Sequence, residues 1–242
     1  MNFEDLFTKW NAQYNFDAFI RDGIVDTRHY ESPHILFVLR DMNCQHERDL
    51  CADLRRDGSG WKTWNNIGRW TKALLDGEEE YPQDMSTANR VTQLKRIAVM
   101  NLKKEGGDRR AVGNKLLETV QTQHDLIYEE ICLCNPSIII CCGLPIKGCP
   151  SNADLLWHYV FPVRSEWGNF RSVKLPQVWR FYSATINEKN VPVISFCHPQ
   201  ATNLCGCRGH ESLFAPLYQD MLHIRKKFLK NTSGGERKSD GI

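Results

Sequence analysis

Four short apolar runs punctuate the chain, and each ends in a polar or turn-forming residue. Residues 35–39 (Ile-Leu-Phe-Val-Leu) lead into Arg40-Asp41-Met42-Asn43, and residues 97–100 end at Asn101. Residues 137–142 lead into Gly143, and residues 193–197 lead into His198-Pro199. Continuous apolar runs bounded by turn residues, with helical segments between them, are the pattern of a sheet covered on both faces. The expectation is therefore an α/β protein: a three-layer α/β/α domain around a central, mostly parallel four-stranded sheet.

Helical periodicity fills the intervals. Phe3, Leu6, Phe7 and Trp10 mark an opening amphipathic helix, and Trp61, Trp64, Ile67, Trp70 and Leu74 mark a second. A third spans residues 114–134 with Leu116, Leu117, Val120, Ile127 and Ile131 on one side, stopped by Asn135-Pro136. A last one, residues 211–228, packs through Leu213, Leu217, Met221 and Ile224. The polar stretch 44–60 is long for a plain connection and reads as a functional loop or a short irregular helix. Residues 76–88 form an acidic connection. Residues 151–185 are less legible, with a helix near 154–159 and a strand near 179–183. No internal linker interrupts residues 1–229, which read as a single domain, and the Ser/Gly-rich, mixed-charge segment 230–242 reads as a disordered tail.

Composition narrows the function classes. The chain of 242 residues is 41% hydrophobic and 25% charged with a net charge of +2, ordinary for a globular domain and too neutral for a global nucleic-acid-attracting field. DNA contact would need a local basic patch. No apolar run approaches the roughly 20 residues of a membrane helix, and Met1-Asn2-Phe3-Glu4-Asp5 lacks the basic start of a secretory signal, so a cytoplasmic location is expected. Several of the ten cysteines lie inside apolar runs and read as free thiols. Cys205-Gly206-Cys207 with His210 and the nearby Cys197 and His198 could form a metal cluster but fits no standard zinc spacing well, so free thiols and no metal are expected. No obligate protein partner is evident.

In a doubly covered sheet, ligands bind outside the carboxyl ends of the strands, so Asp41, Asn101, Gly143 and His198 should meet at one crevice. Singly, each has a plain structural reading: Asp41 as a turn or cap former, His198-Pro199 as a turn, Asn101 as a backbone partner. Together they form a chemical inventory. Asp41 can orient water, Asn101 can read the edge of a base with its donor and acceptor, and His198 can donate to a developing anion. Trp61, beside Gly58 and Gly60, is the candidate for stacking, whereas Trp64 and Trp70 share helical spacing with Ile67 and read as core. Lys103, Lys104, Arg109 and Arg110 flank Gly106 and Gly107 directly after Asn101 and are candidates for phosphate contact. The inventory suits hydrolysis of an N-glycosidic bond.

The order of these motifs resembles the uracil-DNA glycosylase superfamily over residues 33–204. Its first motif follows strand one and reads G-Q-D-P-Y, or G-M-N-P-G in single-strand-selective members; here the place is held by Leu39-Arg40-Asp41-Met42-Asn43. Its second strand ends in a base-reading asparagine, as Asn101 would be, and its third ends in a glycine, as at Gly143. Its last motif, H-P-S-P with a DNA wedge beyond, corresponds to His198-Pro199-Gln200-Ala201-Thr202-Asn203-Leu204. The resemblance implies a cofactor-free DNA glycosylase that flips a base from the duplex. Asp41 would orient water, or Asn43 in the G-M-N register; the first register fits the longer motif directly after the strand. Gln200, Asn203 and Leu204 would contact DNA. Asn43 stands where uracil-specific members carry a tyrosine that blocks 5-substituents, so the implied base is a 5-modified pyrimidine of foreign DNA or uracil in repair. Gln200-Ala201 in place of Ser-Pro departs from ordinary uracil repair. Two other classes stay open: a DNA-binding protein that kept the fold without catalysis, and a hydrolase of free nucleosides or nucleotides.

Overall fold

Each apolar run sends alternate side chains to opposite faces, and both faces are covered. The structure, a computed structural model, describes residues 1–42, 44–106, 113–146 and 148–229. Its main sheet contains β1 (Gly23–Ile24), β2 (Ile35–Leu39), β3 (Ala98–Asn101), β4 (Ile138–Cys142), β5 (Gly168–Arg171), β6 (Val178–Ile186) and β7 (Lys189–Phe196). These lie in the order β1-β3-β2-β4-β7-β6-β5. The four strands anticipated from the apolar runs are its parallel centre: β3, β2, β4 and β7 pair in parallel, while β1, β6 and β5 are antiparallel additions.

Seven strands thus replace the expected four. Two of the three additions went unanticipated, whereas β6 answers to the strand expected near 179–183. β1 is only two residues long, and β5 has one buried residue in four, so neither carries an apolar run. β6 alternates, with Arg180 exposed between its neighbours, and so contains no continuous apolar run. It closes onto β7 through Asn187-Glu188, whose φ values of 47° and 64° give the two-residue turn that matches the twist of a hairpin.

On one face, Ile35, Phe37 and Leu39 of β2 and Ile138 and Ile140 of β4 pack with α2 (Leu50–Asp57), α3 (Lys62–Leu75), α4 (Thr87–Leu94) and α7 (Ala215–Ile224). On the other, Leu36, Val38, Ile139 and Cys141 pack with α1 (Phe3–Tyr14), α5 (Gly113–Cys134) and α6 (Asn152–Leu155). The polar stretch 44–60 contains α2, capped by the Asp49 carboxylate on Ala52 N (2.8 Å) and ended by Gly58 at φ 66°. The acidic connection 76–88 runs into α4, capped by Ser86. Among the described residues no helix is long and apolar enough to cross a membrane.

After β2 the chain moves to β3 on one side, then to β4 on the other. The switch point of the sheet therefore lies between β2 and β4. Arg40 and Asn152 fill it. Asn152 donates to Val38 O and Cys142 O (3.1 and 3.2 Å) and accepts from Arg40 Nε at 3.1 Å, while Arg40 Nη2 donates to Leu144 O at 2.6 Å. A Cβ on Gly143 would lie 2.8 Å from Asn152 Oδ1 and 2.9 Å from Arg40 Nε, which is why a glycine ends β4. Gly143 serves this plug and does not line the pocket described next.

Candidate active site

Displaced from the filled switch point, a cavity of ≈ 260 Å³ opens over the ends of β2, β3 and β7 and is walled by the start of α3. Asp41, Asn101, His198, Trp61 and Gln200 line it, with Met42, Arg48, Ser59, Thr63 and Trp64. It is small compared with the roughly 300–1,000 Å³ of drug-sized sites and suits a single flat ring. Trp61 N-caps α3 with its ring 57% exposed at the mouth, whereas Trp64 and Trp70 are buried in the core. A broader groove, lined by Gly60, Trp61, Lys62 and Gln200, shares two residues with the pocket.

His198 has a defined hydrogen-bonding state. The Gln200 backbone N–H donates to its Nδ1 over 3.1 Å, so Nδ1 acts as acceptor and a neutral ring carries its proton on Nε2. The ring is exposed on the pocket wall, yet the protein around it lowers its pKa below the usual imidazole value, and the positive charge of Arg40 adds to this. The turn itself is tied to α3, since buried Asn66 donates to Pro199 O at 2.6 Å. Asp41 is half-buried and accepts no hydrogen bond from another described residue. Burial raises its pKa above the ordinary carboxylate value, against the attraction of Lys103 and Arg40.

Asn101 is buried at the pocket floor. Its main-chain N–H and its Nδ2 donate to Asp22 Oδ2 at 2.7 and 3.1 Å. Behind Asp22 the side chain of Lys104 is fully buried, paired with Asp22 Oδ1 and placed 2.9 and 2.6 Å from the two oxygens of Glu130. This corrects the reading of Lys104 as a phosphate contact: an ammonium held between two carboxylates in the interior cannot reach a DNA backbone. Lys103 is also engaged, 14% exposed and 3.1 Å from Glu105. Burial pushes the Glu130 carboxyl well above its usual range, and burial opposes charge on Lys104 until the two acids raise its pKa again.

Other anticipated residues fall differently. Asn43, Arg109, Arg110 and segment 230–242 lie outside the described residues. Gln200 is exposed at the pocket rim. Asn203 and Leu204 form one arm of a two-stranded hairpin with Cys207–Arg208, and Leu204 is partly buried against the core, leaving Cys205-Gly206 at the tip. The Cys205 thiol donates to Gln177 Oε1 at 2.9 Å. Among the described residues no group of three His, Cys, Asp or Glu side chains is placed to hold a metal ion.

Sequence reasoning missed Asp22, Ser59 and Thr63. The hydroxyls of Ser59 and Thr63 line the pocket without a protein partner among the described residues, although both residues are over nine-tenths buried. Gly58 and Gly60 signalled this turn. Nothing local signalled Asp22, which sits between two strands of two residues each. Comparison with protein-family models, with curated proteins and with solved structures finds no match, so the chemistry must be read from the pocket.

Proposed function

We propose that this protein is a DNA glycosylase of the uracil-DNA glycosylase type, acting on a flipped-out base. The observation that carries the reading is the hydrogen bond from Gln200 N–H to His198 Nδ1, which leaves a neutral imidazole with its proton on Nε2 and no partner for it among the described residues, on the wall of a pocket that also holds Asp41, Asn101 and Trp61. In the proposed step Asp41 orients water for attack on the sugar C1′ and receives its proton. The C1′–N bond breaks with its electron pair passing to the base, and His198 Nε2–H stabilises the departing anion. Asn101 reads the base edge, and Trp61 offers a stacking face where the base enters. Lys62, exposed on the neighbouring groove, supplies a cation for the backbone. The small, hydrogen-bonding cavity agrees with a pyrimidine ring, either uracil or a 5-modified base.

A second reading has an observation of its own. With Lys104 buried and Lys103 paired, the basic loop expected to grip DNA is reduced, which favours hydrolysis of a free nucleoside or nucleotide by the same pocket. One experiment separates them: mass spectrometry of bases released from single- and double-stranded DNA carrying uracil or 5-modified pyrimidines, beside the matching free nucleosides and nucleotides. Release from polymer with inert monomers supports the glycosylase. The reverse supports the monomer hydrolase, and no release from either supports a DNA-binding protein without catalysis.

A further inference from the structure

A carboxylate only accepts hydrogen bonds, and that restricts the side chain facing Asp22. Oδ2 of Asp22 lies 2.7 Å from Asn101 N and 3.1 Å from Asn101 Nδ2. If the amide of Asn101 turned over, its Oδ1 would face that oxygen instead, and two acceptors without a proton between them would meet in a buried site. The cost is a lost hydrogen bond plus repulsion in low dielectric. The Asn101 amide is therefore held one way round, with one N–H committed to Asp22 and with Oδ1 and the second N–H left for the pocket.

What holds Asp22 in turn is unusually complete. Its side chain is fully buried, its second oxygen is paired with the equally buried Lys104, and Lys104 is bracketed by Glu130 of α5. The Lys104 ammonium also lies 5.2 Å over the ring of Trp10 in α1. Pairing of this kind is weak evidence for added stability, because apolar replacements often serve as well. Its other use is to fix one arrangement. Here the arrangement at its end is the amide that lines the pocket.

We propose that Asp22 is a specificity-determining positioning residue: by locking the Asn101 amide it makes the pocket distinguish a lactam base edge from an amino-imine edge. The inference rests on the base-reading role proposed above for Asn101. A lactam edge, as in uracil and 5-substituted uracils, presents a carbonyl oxygen beside a ring N–H. An amino-imine edge, as in cytosine and its 5-substituted forms, presents an amino group beside a bare ring nitrogen. The two demand donor and acceptor in opposite order. A freely turning amide satisfies both, and a locked one satisfies only one. Hydrogen-bonding sites of this kind reject the mismatched ligand strongly, because their buried groups are left unpaired.

The test is base release from paired oligonucleotides that differ only at the edge: uracil against cytosine, and 5-hydroxymethyluracil against 5-hydroxymethylcytosine. The native protein should prefer one edge type in both pairs. In Asp22→Ala the acceptor that orients the Asn101 amide is gone, the amide can turn over, and the preference should shrink at least tenfold. Glu130→Gln, which alters the far end of the network, should lower the melting temperature and keep the preference. If Asp22→Ala does not fold, the double variant Asp22→Ala/Lys104→Met carries the same test without a half-paired ammonium. A purely structural Asp22 would slow both edges equally and leave their ratio within twofold; that result, or a native protein indifferent to the edge, overturns the inference. A native protein that releases no base from any of the four oligonucleotides overturns the glycosylase reading instead.

Discussion

The backbone N–H of Gln200 points at Nδ1 of His198 over 3.1 Å, so the turn after β7 sets the tautomer of the ring it carries. Protonation of Nδ1 would set two donors against each other and break this bond. The pocket is thus arranged for a neutral histidine that donates through Nε2.

That arrangement predicts the effect of His198→Ala. Removing a single donor aimed at developing negative charge costs about 2.7–4 kcal/mol, roughly 10²–10³ in kcat. The check is single-turnover base release, and an unchanged rate would leave His198 as a turn residue only.

The pH profile follows from the same two groups. Activity needs His198 neutral and Asp41 ionised. His198 is shifted below the ordinary 6.5 and Asp41 above the ordinary 3.8, so activity should hold at neutral pH and be lost on acidification as pH falls through the lowered pKa of His198. For stability, the lowered pKa of His198 gives a contribution present above 6.5 and lost as pH falls through its folded value. A rate that rises from pH 7 to pH 6 would contradict this assignment.

Asp41→Asn should separate activity from stability. The raised pKa of Asp41 means that its ionised form is tolerated poorly by the fold: its stabilising contribution exists at low pH and is lost as pH rises through the folded value. At pH 7 the amide should lower base release by orders of magnitude while the melting temperature holds or rises. Calorimetry and turnover on the same sample check both halves.

Lys104→Ala should behave as a core lesion. Deleting one partner of a buried ion pair leaves uncompensated charge, at a cost of about 3–5 kcal/mol. The salt dependence of any DNA binding should match that of the parent, since the ammonium meets no phosphate. Chemical denaturation and binding titrations at several salt concentrations measure the two effects.

Trp61→Ala should do the opposite. The ring is 57% exposed, so its loss should leave the melting temperature within experimental error. Base–aromatic stacking is worth about 1–3 kcal/mol, so substrate affinity should fall by roughly fivefold to 150-fold. Fluorescence titration with an oligonucleotide checks it.

Much of this molecule was legible one-dimensionally. The central parallel strands, α1, α3, α5 and α7 follow from apolar runs and helical spacing, because burial on both faces of a sheet or on one stripe of a helix imposes a local period. The same logic marked Asp41, Asn101 and His198 as residues at carboxyl ends of strands. What local patterns could not carry was partnership. Nothing near Lys104 tells whether it meets solvent or the carboxylates of Asp22 and Glu130, residues that come together only when β1 and α5 close around the end of β3. Nor could a run of residues reveal that Arg40 and Asn152 fill the switch point and leave the pocket beside it, or that a two-residue strand ends the sheet next to Asn101. Periodicity is a property of neighbours along the chain and was decided by sequence. Which charge is buried and which polar group is left free depend on segments tens of residues apart, and those only the tertiary structure decided.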